Sequence, residues 1–272
     1  MISLKGKTLI VTGAGSGMGR ELTLKLIKMG TSIAACDINK KTLEDTATLA
    51  ASPKHIRTYV LNVADQERAA AFPSMVKKDF GALHGIINNA GIIQPFVKIP
   101  ELTDETITRV MNVNFSGIVT LSRAVMKELT IDADTFIVNV SSMGGFLPVP
   151  GQAVYGASKA AVKLFTEALY GEMQGTRTHV SVVFPGAIAT NISDSITQND
   201  AGESHQNKDD MQYRTTPADK AADTIIRGIE QGKLRIFVGN DAKMMDKLYR
   251  LIPTRAIDMM AKRIGKMMKK EA

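Results

Sequence analysis

Thr8-Leu9-Ile10-Val11-Thr12 has the pattern of a short buried strand. It runs directly into Gly13-Ala14-Gly15-Ser16-Gly17-Met18-Gly19 and then an amphipathic helix extending through Met29. A strand, a glycine loop and a helix in immediate succession restrict the fold to one built from βα units. Gly13 permits the tight turn, while Gly17 and Gly19 let backbone and helix approach a pyrophosphate without Cβ interference. The phosphates then meet the positive end of the helix. Gly13, Ser16, Gly17, Met18 and Gly19 are therefore the candidate phosphate-side contacts. The spacing is G-x-x-x-G-x-G rather than G-x-G-x-x-G. A nucleotide-triphosphatase loop fits worse, because no Gly-Lys-Ser/Thr follows and Arg20 stands where its lysine would be sought.

The alternation continues along the chain. Strands are expected at 32–37, 56–62, 83–88, 135–141, 180–184 and 235–238, and helices at 40–51, 66–80, 103–129, 153–173 and 217–231. Right-handed crossovers make this an α/β fold, a Rossmann-like doubly wound parallel sheet forming a single catalytic domain over residues 1–240. With 272 residues and 44% hydrophobic content the chain can bury one such core, whereas a second domain would leave both undersized. Ligands bind these sheets beyond the carboxyl ends of the strands. Asp37 ends the second strand there, 18 residues after Gly19, in position for the adenine ribose hydroxyls. A 2′-phosphate would meet its charge, which favours NAD over NADP. The competing reading is an aspartate that caps the next helix, and Lys40 and Lys41 could reach a phosphate.

Tyr155 and Lys159 lie one helical turn apart, and Ser142 lies thirteen residues upstream of Tyr155 behind a β-branched strand. A tyrosine titrates near ~10 and needs a fixed cation to serve as a base near neutrality. Residues at i and i+4 share a helix face, so Lys159 can supply one. Alone, Tyr-x-x-x-Lys is a common exposed pair. The glycine loop at the other end of the chain gives it meaning.

From about Leu4 to Gly239 the chain resembles the short-chain dehydrogenase/reductase family. The family's Thr-Gly-x-x-x-Gly-x-Gly is Thr12 to Gly19, its Asn-Asn-Ala-Gly is Asn88 to Gly91, and its Asn-x-x-Gly runs from Asn114 to Gly117. The Ser, Tyr and Lys are Ser142, Tyr155 and Lys159, and Pro185-Gly186 with Thr190 matches the cofactor segment after the sixth strand.

The resemblance implies hydride transfer between nicotinamide, with NAD preferred, and a secondary alcohol or ketone. It makes Tyr155 the general acid/base and Ser142 the ligand of the substrate oxygen. Lys159 would lower the phenol pKa and hold the nicotinamide ribose, and Asn114 would hold a water linking Lys159 to solvent. Asn62 by its side chain and Val63 by its backbone correspond to adenine contacts, although many relatives carry aspartate at the position of Asn62. Asn89, Ala90 and Gly91 would pass close to the nicotinamide ribose, with Asn88 a structural sheet tie. Ile188 would present its backbone to the carboxamide and Thr190 its hydroxyl. Ser141 competes with Ser142, but its side chain should face the opposite side of the strand. The alternative is an NAD-binding redox-sensing or scaffold protein without turnover. Such relatives usually lose the tyrosine or lysine, and this chain keeps both. The helices at 103–129 and 153–173 imply a homodimer or homotetramer.

Cys36 is the only cysteine, which rules out an intramolecular disulfide, and a small buried strand-end residue is a simpler reading than a reactive thiol. His55, His84, His179 and His205 are too scattered to suggest a metal. The chain has no long uninterrupted apolar stretch and enters its first strand almost at once, so a cytoplasmic protein is expected. Met143 to Pro150 and Ile92 to Val97 flank the proposed cleft with apolar side chains. These favour an apolar substrate, but could equally be core or subunit contacts. The polar segment 191–216 is long enough for a lid over substrate, or is a surface loop.

Residues 241–272 form a basic tail with nine Lys/Arg and four Asp/Glu. Pro253 divides it into two helical stretches, and Ile257, Met260, Ile264, Met267 and Met268 make an apolar stripe in the second. Lys262, Arg263, Lys266, Lys269 and Lys270 occupy its other side. This amphipathic extension could lie on an anionic membrane surface, or pack its methionines on its own domain or a sister subunit. Nucleic acid is not an expected partner, since the charge is not interleaved with aromatics.

Overall fold

The computed structural model describes residues 1–189 and 215–268. β1 (Thr8–Thr12), α1 (Gly17–Lys28), β2 (Ser32–Asp37), α2 (Lys40–Ala50), β3 (Ile56–Val60), α3 (Gln66–Phe80) and β4 (Gly85–Asn88) make the first half. α4 (Asp104–Met111), α5 (Gly117–Glu128), β5 (Thr135–Val140), α6 (Ala153–Glu172) and β6 (Thr178–Pro185) follow. The chain then forms short strands β7 (Ile188–Ala189) and β8 (Thr216–Pro217), and continues into α7 (Ala218–Glu230), β9 (Arg235–Val238), α8 (Asn240–Leu251) and α9 (Pro253–Met268). The large sheet is parallel throughout, with strand order β3-β2-β1-β4-β5-β6-β9. It is the Rossmann-like doubly wound fold.

Both faces of the sheet are buried because successive strand side chains point to opposite sides. Leu9, Val11, Ile33, Ala35, Ile87 and Val138 pack with α1 and α7 residues such as Leu22, Leu26 and Ile225. Their neighbours Ile10, Ala34, Cys36, Ile86 and Ile137 pack on the other side with Phe72, Val76, Leu121 and Val125 of α3 and α5. Cys36 is thus a core residue, and burial together with nearby Asp37 pushes its thiol pKa well up.

The single long helix expected at 103–129 is interrupted. A π turn, Asn112–Ser116, separates α4 from α5. Such a turn inserts an extra residue without a Gly or Pro signal and re-aims the side chains around it. Asn114, at its centre, is completely buried.

The tail helices fold back on the domain. Met245 of α8 and Ala256 of α9 form a small apolar cluster with Leu147, against which Phe146, Leu248, Tyr249 and Met260 also pack. Ile264 is buried as well. The expected stripe is therefore partly an intramolecular contact, with Ile257 left at the surface. Met267 and Met268 fall where only backbone is described. Among the described residues no helix is long and apolar enough to cross a membrane.

Candidate active site

The motif residues gather at the carboxyl edge of the sheet. At the β1–α1 corner, Gly13 adopts φ +67°, and a Cβ there would lie 2.9 Å from Asn89 Nδ2. A Cβ on Gly19 would meet the Gly13 carbonyl oxygen at 2.0 Å. Thr12 Oγ1 accepts from the backbone N–H groups of Asn89 and Ala90, each at 2.9 Å, and Asn89 Nδ2 donates to Thr12 O at 3.0 Å. The Asn-Asn-Ala-Gly segment is thereby tied to the glycine loop. Ser16 is the N-cap of α1, yet its side chain makes no capping bond, and the first helical turn has no acidic residue. The amino end of α1 keeps the electropositive character that a pyrophosphate requires, so these residues fit a dinucleotide.

Asp37 serves the loop directly. One carboxylate oxygen accepts from Gly15 N and the other from Asn39 N, both at 2.9 Å. The helix cap belongs to Asn39, whose side chain accepts from Thr42 N at 3.2 Å. Arg20, opposite, donates to the carbonyls of Gly15 and Thr42 and to Thr46 Oγ1. Asn62 accepts from Ala64 N at 3.0 Å in the turn after β3, next to buried Val63.

The second corner lies where β4, β5 and α6 converge. Asn88 donates to Asn139 Oδ1 at 2.8 Å and to Ser122 Oγ at 3.2 Å, a buried tie between neighbouring strands and α5. Asn114 accepts from Ile92 N and donates to Ile92 O, both at 2.9 Å, and donates to Ser158 Oγ at 3.1 Å. A Cβ on Gly91 would lie 3.1 Å from Lys159 Nζ and 3.2 Å from Asn114 Oδ1. The glycine lets these two groups converge on the β4 loop.

Ser141 and Ser142 separate as strand alternation requires. Ser141 donates to Lys159 O at 2.7 Å, anchoring α6. Ser142 Oγ accepts from Gly144 N at 3.0 Å, and a Cβ on Gly144 would lie 3.5 Å from both Ser142 Oγ and Tyr155 Cε1, so the two side chains meet there. Burial raises the Tyr155 pKa, and the Ser142 hydrogen bond pulls it back. Lys159 is 3% exposed and donates to Val140 O at 3.0 Å. Burial lowers its pKa to about 8.

Two contacts at this corner have no local sequence signal. α6 has no side-chain cap of its own. Instead Gln94, wholly buried in the loop after β4, accepts from Tyr155 N at 2.8 Å and donates to Gly151 O at 3.1 Å, while Gln152 donates back to Gln94 O at 2.9 Å. The catalytic candidate is thus held by a cap from 61 residues away. Asp241 accepts from Ala187 N at 3.0 Å, bracing the segment after Pro185-Gly186 from the start of α8. Ile188 pairs with Thr216 across β7 and β8. Thr190 and nearly all of the segment expected to form a lid lie outside the described residues.

Gly144, Phe146, Pro148, Val149 and Pro150 line a cavity of about 760 Å³ with the Ala153–Ala160 edge of α6 and Tyr249. Neither Ser142 nor Tyr155 is among its lining residues. Much of this apolar stretch therefore lines a space that those two side chains do not border.

A family model described as short chain dehydrogenase matches residues 7–201. SadH of Mycobacterium tuberculosis, named as an oxidoreductase, is 38% identical over 259 residues, covering 93% of each chain. A Burkholderia phymatum short-chain dehydrogenase/reductase in complex with NAD superposes with a TM-score of 0.78 at 24% identity, covering 87% of this chain and 90% of the other. A Burkholderia cenocepacia short-chain dehydrogenase in complex with NADP also gives 0.78 at 24% identity, covering 95% and 99%. With its fold, its motifs and its full-length relative in agreement, the chain belongs to the short-chain dehydrogenase family of oxidoreductases.

Proposed function

We propose that the protein moves a hydride between NAD(H) and a secondary alcohol or ketone, with Tyr155 as the general acid/base. The observation that carries this reading is the meeting of Ser142 and Tyr155 at Gly144, where a Cβ would lie 3.5 Å from Ser142 Oγ and from Tyr155 Cε1, one helical turn from the buried Lys159. The bound dinucleotide supplies the hydride chemistry. Ser142 holds the substrate oxygen and stabilises its developing charge. Tyr155 returns a proton to that oxygen in ketone reduction and removes one in alcohol oxidation. Lys159 adds its charge and holds the nicotinamide ribose, and Asn114 carries the water link to solvent.

Asp37 supports NAD over NADP, because its carboxylate is held at the glycine loop where a 2′-phosphate would have to sit. Of the nearby cations, Arg20 is engaged with backbone carbonyls and Lys40 with Glu44 at 3.7 Å, while Lys41 is exposed with no ion pair among the described residues. Asn62, Val63, Asn89, Ala90, Gly91, Pro185, Gly186, Ile188 and Thr190 complete the proposed cofactor contacts. Ile92, Ile93 and Met143, adjoining Gly91 and Ser142, support an apolar substrate. Exposed Leu164 and Tyr170 on α6 support a homodimer or homotetramer.

The test is Tyr155→Phe, assayed over a panel of ketones with NADH and NADPH titrated into both proteins. Turnover is expected to fall by at least about a thousandfold with NADH affinity nearly kept, and the wild type should bind NADH more tightly than NADPH. Turnover near wild type overturns the mechanism, and equal or reversed affinities overturn the NAD assignment.

A further inference from the structure

The tail helices carry apolar residues on two sides, and the domain covers only one of them. The inner stripes are Ala242 and Met245 on α8 and Ala256, Met260 and Ile264 on α9, all buried or packed against the domain. The outer apolar residues are Met244 and Leu251 on α8, seven residues and so two turns apart on one face, Ile252 in the connection between the helices, and Met259 on α9. Their exposures are 62%, 80%, 39% and 46%. Leu251 and Ile252 adjoin at the junction of the helices.

Charge is sorted the same way. Asp241 is turned inward to Ala187 N, and Asp246 is 15% exposed between Arg235 and Arg250. Among the described residues of the pair, the exposed cations Lys243, Lys247, Arg255 and Lys262 are opposed by one exposed acid away from those contacts, Asp258. Lys247 falls between Met244 and Leu251 in the α8 row, and Arg255 and Lys262 flank Met259 in the α9 row, at three- and four-residue steps. Apolar side chains flanked by lysine and arginine, with two of the three described acids held in internal contacts, match an acyl–headgroup boundary better than a protein core. Lysine and arginine stems can lie along apolar surface while their charges reach lipid phosphates.

We propose that the outer face of the α8–α9 pair docks on an anionic lipid surface, seating Leu251, Ile252, Met244 and Met259 at the headgroup boundary. The charge complementarity decides the occupant: a second copy would bring the same cations face to face. The docking face is distinct from the stripe that the sequence singled out, part of which faces the domain. Docking makes no demand on hydride transfer, so this inference holds or fails independently of the catalytic reading.

The experiment is co-sedimentation of the full chain with phosphatidylcholine vesicles and with mixed phosphatidylcholine–phosphatidylglycerol vesicles, at low and high salt. Binding is expected only to the mixed vesicles and should weaken with salt. Lys243→Gln/Lys247→Gln/Lys262→Gln should weaken it by about a hundredfold, given about fivefold per basic residue near such a surface. Leu251→Glu/Met259→Glu should weaken it by about tenfold or more. Both variants should keep the wild-type rate on a water-soluble ketone. Absence of binding to mixed vesicles, or binding that survives both variants, overturns the proposal. A Leu251→Glu/Met259→Glu variant that changes oligomer size, in a protein that ignores vesicles, assigns the face to a second copy instead.

Discussion

At the β1–α1 corner the chain is shaped by atoms it lacks, whereas at the β5–α6 corner it is shaped by polar atoms it buries. A Cβ on Gly13, Gly15 or Gly19 would come within 3.0 Å of a neighbour, so the phosphate-side loop exists only as glycine. Around Tyr155, in contrast, Gln94, Asn114, Ser158 and Lys159 are all removed from solvent and bonded to one another's segments. The first design makes room for a ligand and leaves backbone donors open to it. The second fixes side chains at the expense of desolvating them. A binding corner should thus be sensitive to added bulk, and a chemical corner to lost hydrogen bonds.

Gly19→Ala is the severest trial of this contrast. In an ordinary helix the substitution stabilises by about 1 kcal/mol. Here the new methyl would sit 2.0 Å from the Gly13 carbonyl oxygen. Dinucleotide affinity should fall by at least about a hundredfold and stability by about 3 kcal/mol or more, on the scale of severe overpacking. NADH fluorescence titration and chemical denaturation read both. An alanine variant that binds normally would remove the distinction between the corners.

Lys159→Met tests the cost of the buried cation. The lysine pKa falls from 10.5 to about 8 on folding, so the unfolded chain holds more protons between those values. Stability conferred by the wild-type residue therefore rises with pH from about 8 towards 10.5, and below 8 the full penalty applies. The variant should be more stable than wild type at neutral pH, by up to roughly 3 kcal/mol, while losing turnover. Denaturation curves at pH 7 and pH 10 should converge as the penalty disappears. A variant less stable than wild type at pH 7 would show that the amine's hydrogen bond to Val140 outweighs its desolvation.

Gln94→Ala should have the smallest effect of the three. It removes the cap on Tyr155 N, a contact worth about 1 kcal/mol, and the donor to Gly151 O, while the bond from Gln152 to the backbone of residue 94 is kept. Turnover should fall by about tenfold, with KM little changed and the pH profile displaced. Gln94→Glu, which keeps an acceptor, should recover part of it. Equal loss in both variants would reduce Gln94 to a packing residue.

The difference between the corners also explains what the sequence disclosed. Strands were readable because apolar residues fill both faces of a parallel sheet, and the glycine loop because its spacing is contiguous. Helix ends fell within about one residue of expectation, whereas β3 stops at Val60 and β4 begins at Gly85, each about two residues short, since turn residues beside a strand can be apolar too. The candidate catalytic motif was legible through the spacing of Tyr155 and Lys159. Gln94 and Asp241 were not, because each acts on a backbone N–H far along the chain. The π turn was hidden for a related reason: Asn112–Ser116 contains no breaker. In the tail, periodicity revealed one stripe and could not tell which of two apolar faces the domain would claim.

The wide turn at Asn112–Ser116 also makes the chain intolerant of small deletions there. Excising the extra residue would relax it into regular helix and leave the facing of α4 and α5 unchanged, so Leu121 and Val125 would stay against α3. The buried asparagine would be re-aimed and would no longer reach Ile92 or Ser158. The irregularity acts as a spare link in a chain, whose removal is felt at the splice and not along the rest of its length.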